Sequence, residues 1–111
     1  MTIPLPTWVD VVRDVRLALA LANGRPTGEF ADALRERLRD YVRRFAQDAD
    51  RYAHAFPPGR QRDIAVATVA DARAAVTARS DDPASQLRLL AKATDYTARY
   101  AAAAPPADGG T

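Results

Sequence analysis

Residues 30–56 read FADALRERLRDYVRRFAQDADRYAHAF, and this stretch decides the fold. Phe30, Leu34, Leu38, Tyr41, Phe45, Ala49, Tyr52 and Phe56 recur at steps of 4, 4, 3, 4, 4, 3 and 4. That is the period of one face of an α-helix, and nothing in it alternates as a half-buried strand would. Thr27 opens the segment and Pro57-Pro58-Gly59 closes it, because two consecutive prolines cannot continue the hydrogen-bond ladder. At 1.5 Å per residue the rod is about 40 Å long. An apolar seam of that length has to be covered by other elements or by another chain.

Upstream, Thr7 and Asp10 form an amino-terminal cap, and Asn23-Gly24 stops the helix they start, giving a helix over Trp8 to Ala22. Its expected inward stripe is Trp8, Val12, Val15, Leu19 and Ala22, widened by Val11 and Leu21. Downstream, Arg60 to Arg79 is nearly all small residues, which favour helix and allow close helix approach. Asp82 caps a fourth helix with Pro83 in its first position, running to about Ala103. One of its faces carries Leu87, Leu90, Thr94, Thr97 and Ala101, and beside it run Leu89, Ala93, Tyr96 and Tyr100.

Four amphipathic segments joined by short loops predict an all-α fold, an antiparallel four-helix bundle running up-down-up-down. It has one short amino-terminal helix, one long central helix and two of medium length. The expected organisation is an extended lead over 1–6, one bundle domain over 7–104 and a disordered tail over 105–111. The second helix outruns the first by nearly half its length. Either it bends, or its far half packs only on the third and fourth helices, or the leftover seam meets another chain. The short helix can then cap one end of a three-helix core instead of running alongside it.

Composition narrows the function classes. Of 111 residues 25 are alanine, while Leu, Ile, Val and Phe together number 22, so the core is small. There is no Cys, which excludes disulfide and thiolate-metal scaffolds. The opening MTIPLPTWVD has neither the basic nor the apolar region of a signal peptide, and no apolar run approaches the roughly 20 residues of a membrane span. The expectation is a cytoplasmic protein without membrane contact. Fifteen Arg stand against one Lys, but 12 Asp and two Glu are interleaved with them and leave a net charge of only +2.

No motif for catalysis or metal binding stands out. His54 is the only histidine, with Asp50 four residues before it and no nucleophile or second ligand in view. Glu29 and Glu36 lack the Glu-x-x-His pattern of a di-iron bundle, and Gly24 to Gly28 lacks the Gly-Lys-Ser/Thr end of a phosphate loop. The expectation is no enzyme, no cofactor, no metal and no small-molecule substrate.

Two sets of residues remain as candidate contact surfaces. Tyr41, Phe45, Tyr52, Phe56, Tyr96 and Tyr100 can form an aromatic edge facing a protein partner. Arg35, Arg39, Arg43, Arg44, Arg51, Arg60 and Arg62 flank or extend the long helix and can grip phosphates. Against the second reading, Asp32, Glu36 and Asp40 precede Arg35, Arg39 and Arg43 by three residues each, a spacing that forms ion pairs on a solvated helix face.

Leu34-Arg35-x-x-Leu38, Phe56-Pro57, the Ala-rich stretch with Asp71-Ala72-Arg73, and Leu87-x-x-Leu90-Ala91 leading to Asp95-Tyr96 and Tyr100 are similar to a family of short Ala/Arg-rich helical proteins. That family is uncharacterised and found in streptomycetes and related high-GC actinobacteria. The resemblance spans about residues 8 to 100 and implies no activity. The expected function is therefore a non-enzymatic helical interaction module that binds another protein or itself through the long second helix and the aromatic edge. Nucleic-acid binding through the arginines is the alternative.

Overall fold

Thr7 starts the first helix with a reciprocal cap. Its hydroxyl accepts from the Asp10 N–H at 3.2 Å, and the Asp10 carboxylate accepts from the Thr7 N–H at 3.2 Å. The computed structural model describes residues 7–106, so the expectations for 1–6 and for 107–111 fall outside the described residues. Four helices fill this range: α1 (Trp8–Asn23), α2 (Glu29–Ala55), α3 (Arg60–Thr77) and α4 (Pro83–Ala103). There is no strand among the described residues.

The 27 residues of α2 form one unbroken helix. It ends at Pro57-Pro58 as the sequence requires, but it is entered through Gly28 at φ 109° with no side-chain cap, and the expected opener Thr27 lies one residue outside it. Helix α4 begins where Asp82 accepts from the Ala84 N–H at 3.1 Å, with Pro83 in the first turn. Helix α3 ends at Thr77, two residues short of the expected Arg79.

The helices alternate in direction as an up-down-up-down bundle. Its central pair is α2 and α4, which run parallel: Arg35 reaches the Pro83 carbonyl at one end, and Tyr52 packs on Tyr100 toward the other. Helix α1 lies on one side of this pair and α3 on the other, and the two flanking helices do not meet among the described residues. The resulting slab measures 46 × 38 × 20 Å, about two helix diameters in its thin direction.

Two core clusters share the length of α2. The first joins α1, the first half of α2, α4 and, through Ala72 and Ala75, the later turns of α3 around Leu34, Leu38, Val42, Leu87 and Leu90. The second joins Ala49 and Ala53 of α2 to Ala65 and Val69 of α3, with Phe56 and Tyr100 against them. Helix α1 therefore accompanies only the first half of α2, and α3 and α4 cover the far half. No bend is needed, and the seam is largely closed within the chain.

The inward faces differ from the expected ones in detail. Helix α1 buries Val11, Asp14, Ala18 and Ala22, while Trp8 and Leu19 stay exposed. Small residues let α1 approach closely, and Asp14 is admitted because it finds donors on α2. Phe30, the first member of the long stripe, is exposed in the opening turn of α2. Ala31, Ala46 and Ala53 are buried on the same helix, so the core arc is shifted toward the alanines that face its neighbours.

Candidate functional site

The aromatic residues mostly cover one another. Tyr41 is buried, its hydroxyl donates to Asp14 Oδ2 at 2.6 Å, and Phe45 lies partly buried beside it with ring centroids 6.5 Å apart. Tyr52 meets Phe56 edge-on at 5.2 Å and Tyr100 at 4.6 Å. Tyr96 completes this chain, 6.1 Å from Tyr100, and alone among the six counts as exposed. As an edge offered to a partner, the set reduces to Tyr96 and the rims of its neighbours. Tyr41 is enclosed and presents nothing outward.

The arginines divide in the same way. Arg35 is buried and donates to the carbonyls of Pro26 and Pro83 and to Asp32, so it ties the α1–α2 loop to the start of α4. Arg39 donates to the Val76 carbonyl at 3.2 Å and pairs with Glu36. Arg43 pairs with Asp40, and Arg51 pairs with Asp48 and reaches the Pro105 carbonyl. That last bond anchors the first residue of the stretch expected as a loose tail. Arg44, Arg60 and Arg62 have no ion-pair partner among the described residues. Of seven candidate phosphate contacts, four are engaged inside the molecule.

His54 is exposed, with Nδ1 2.9 Å from the Asp50 backbone carbonyl at the end of α2. Asp50 also lies 3.7 Å from Arg73. No hydroxyl nucleophile is bonded to the ring, and no cluster of potential metal ligands occurs among the described residues.

One polar cluster escaped the sequence reading. Asp14 has no solvent exposure and accepts from Arg37 Nε at 3.1 Å, Arg37 Nη2 at 3.0 Å and the Tyr41 hydroxyl. Arg13 approaches at 3.4 Å from its own helix. Burial works to raise the Asp14 pKa, but the bonds from Arg37 and Tyr41 outweigh it and hold the carboxyl below its ordinary value. Burial and the same carboxylate push the Tyr41 phenol up to about 12. The cluster locks α1 to α2. A signal was present in the sequence, since Asp14 stands three residues after Val11 and four before Ala18, on a face that should be apolar.

The surface has concave patches between and along the helices. A groove of about 430 Å³ runs between α3 and α4, floored by Ala72, Ala75 and Ala93 and walled by Leu89 and Tyr96, with Asp71 and Lys92 at its rims. Leu89 is 43% exposed and Tyr96 40%. A hollow between α2 and α3 holds Arg43, Gln47 and Arg73. A third patch, Trp8, Val9 and Val12 with Arg16, faces outward from α1 beside the undescribed residues 1–6. The α3–α4 groove differs from the α2–α3 hollow in carrying large exposed apolar side chains, Leu89 and Tyr96, on its wall.

Residues 10–106 match a family model described as a family of unknown function. No curated protein and no solved structure matches the chain.

Proposed function

The chain belongs to this family of unknown function, DUF6415, so its role has to be read from its own surface, and we propose that it is a non-enzymatic protein-docking module whose contact site is the α3–α4 groove. The observation that carries the reading is the coincidence of large exposed apolar side chains with an alanine floor. A helix laid in such a groove buries its apolar face at short interaxial distance, the recurring mode of helix-in-groove recognition. The expected location on the long seam of α2 gives way to this one because α3 and α4 cover that seam. On the same reading the protein works in the cytoplasm of a high-GC actinobacterium, whose codon bias accounts for the excess of Ala and Arg.

A photo-crosslinking amino acid at position 89 or 96, in cells expressing the full chain, tests the proposal. Adducts from these positions and not from position 36 on the far face of α2 support it. No protein adduct from either groove position overturns it.

Nucleic-acid binding is the second reading, favoured by Arg44, Arg60 and Arg62, which have no ion-pair partner among the described residues. It requires affinity for duplex DNA or RNA that falls steeply between low and physiological salt. No retardation at low salt removes it.

A further inference from the structure

The chain holds a single asparagine, Asn23, and a glycine follows it. The pair ends α1: Asn23 is the last helical residue, Gly24 caps it, and both are exposed. The side-chain amide of an asparagine lies within reach of the backbone nitrogen of the next residue. A five-membered ring closes between them most readily where that next residue has no side chain to crowd the approach. Neither conformation nor packing calls for glycine at this position. Gly24 lies at φ −124°, outside the left-handed region, and a Cβ there would meet only the Ala20 carbonyl, at an ordinary contact distance of 3.6 Å.

The surroundings favour the same chemistry. Asn23 Oδ1 accepts from Arg88 Nη2 at 2.8 Å, and that nitrogen also approaches the Ala22 carbonyl at 3.4 Å. A guanidinium on the amide oxygen draws electron density from Cγ and makes it a better electrophile. One bond holds the attacking nitrogen back, since the Gly24 N–H donates to the Leu21 carbonyl at 3.1 Å. That bond closes the last turn of α1, where helical bonding is incomplete and fraying costs least. Once the turn opens, the amide is free to lose its proton to solvent base.

We propose that Asn23-Gly24 is a site of spontaneous deamidation, and that the isoaspartate formed there uncaps the end of α1. The deprotonated Gly24 nitrogen attacks Asn23 Cγ, a carbon–nitrogen bond forms, and the bond from Cγ to Nδ2 breaks. Nδ2 takes up protons from solvent and leaves as ammonia, and a succinimide remains. Water then adds to either ring carbonyl and gives aspartate or isoaspartate. One water enters, one ammonia leaves, and nothing is oxidised or reduced. In the isoaspartate the main chain runs through the former side chain and is one methylene longer. The Gly24 N–H is thereby carried away from the Leu21 carbonyl. The new carboxylate also stands at the carboxyl end of α1, where the helix dipole disfavours negative charge.

Holding the full chain at pH 8 and 37 °C and mapping its tryptic fragments by mass tests the proposal. Trypsin does not cut between Arg25 and Pro26, so the site falls in fragment 17–35, which contains no glutamine to confuse the reading. The expected product is this fragment about one dalton heavier and resolved into two chromatographic forms. It accumulates about tenfold more slowly than in the chain unfolded by guanidinium chloride, the difference being the opening of one helix end. Gly24→Ala, with its melting temperature unchanged, converts several-fold more slowly. Asn23→Gln, which needs a six-membered ring, stays unconverted and serves as the control if the alanine variant melts early. The isolated isoaspartate form exchanges its α1 amides faster while α2 and α4 stay protected. A folded chain that keeps its mass ten times longer than the unfolded chain takes to convert fully overturns the inference. So does a Gly24→Ala chain that converts at the parent's rate, or an isoaspartate form whose α1 is protected as before.

Discussion

A carboxylate on the core side of a helix has to be neutral or paired, and Asp14 is paired twice over. Arg37 alone would leave it half satisfied; the Tyr41 hydroxyl and, at 3.4 Å, Arg13 Nε supply the further donors. Asp14→Asn keeps the shape but removes the charge that Arg37 and Tyr41 are oriented toward. Because Arg37 is half exposed and can turn to water, the expected loss is about 2 kcal/mol, toward the low end for breaking a buried pair. Urea denaturation at pH 7 measures it. The pH dependence follows from the direction of the Asp14 shift. A carboxyl held below its ordinary 3.8 in the folded state adds stability that is complete above that value. The contribution disappears as pH falls through the depressed folded value, so Asp14→Asn should flatten the stability profile below about pH 4. Tyr41 acts in the opposite window, favouring the fold up to about pH 10 and ceasing to do so as pH rises toward about 12.

Arg35 is the other residue whose environment decides its effect. It is almost wholly enclosed and is the donor for two carbonyls, that of Pro26 in the α1–α2 loop and that of Pro83 at the start of α4. Arg35→Met preserves much of its volume but strands both acceptors. Thermal and urea melts should show a loss of about 2–3 kcal/mol without change in helix content. Arg44→Met, on an exposed residue with no ion-pair partner, is the matched control and should change stability by less than about 0.5 kcal/mol.

Among the elements, the boundaries were legible because they are local chemistry. Thr7 with Asp10, Asn23-Gly24, Pro57-Pro58 and Asp82-Pro83 each act within a turn of the chain, and each marks an end within two residues. Thr7→Ala should therefore loosen α1 first and cost about 1 kcal/mol, read as lower stability with the remaining helices intact. What the sequence left open is which helix covers which face. Arg37 and Asp14 are 23 residues apart and Arg39 and the Val76 carbonyl 37, so their meeting depends on tertiary packing and not on spacing. The 4-and-3 spacing of α2 picks out mainly its large side chains. Its buried arc includes Ala31, Ala46 and Ala53, whose part in the core is set by how closely α3 and α4 approach. The groove was equally hidden, since Leu89 and Tyr96 have the same periodicity whether they face inward or out.

For the molecule as a whole, the parallel α2–α4 pair is the structural centre and α1 the lightest attachment. It flanks half of α2, makes no contact with α3 among the described residues and relies on four buried positions, one of them charged. Amide hydrogen exchange should show α1 opening ahead of the α2–α4 centre, and Asp14→Asn should widen that difference. Equal protection across all four helices would contradict this order.

The parallel pairing has another consequence, for the time before the chain is complete. Arg35 and its acceptor at Pro83 are separated by 48 residues, so α2 leaves the ribosome well before the strand of sequence that shelters its inner side has been synthesised. At about 5–20 residues per second that interval is roughly 2–10 s. Throughout it the nascent rod is available to chaperones, and ribosome-bound chains ending before residue 83 should be cut by protease within α2 where the finished protein is not.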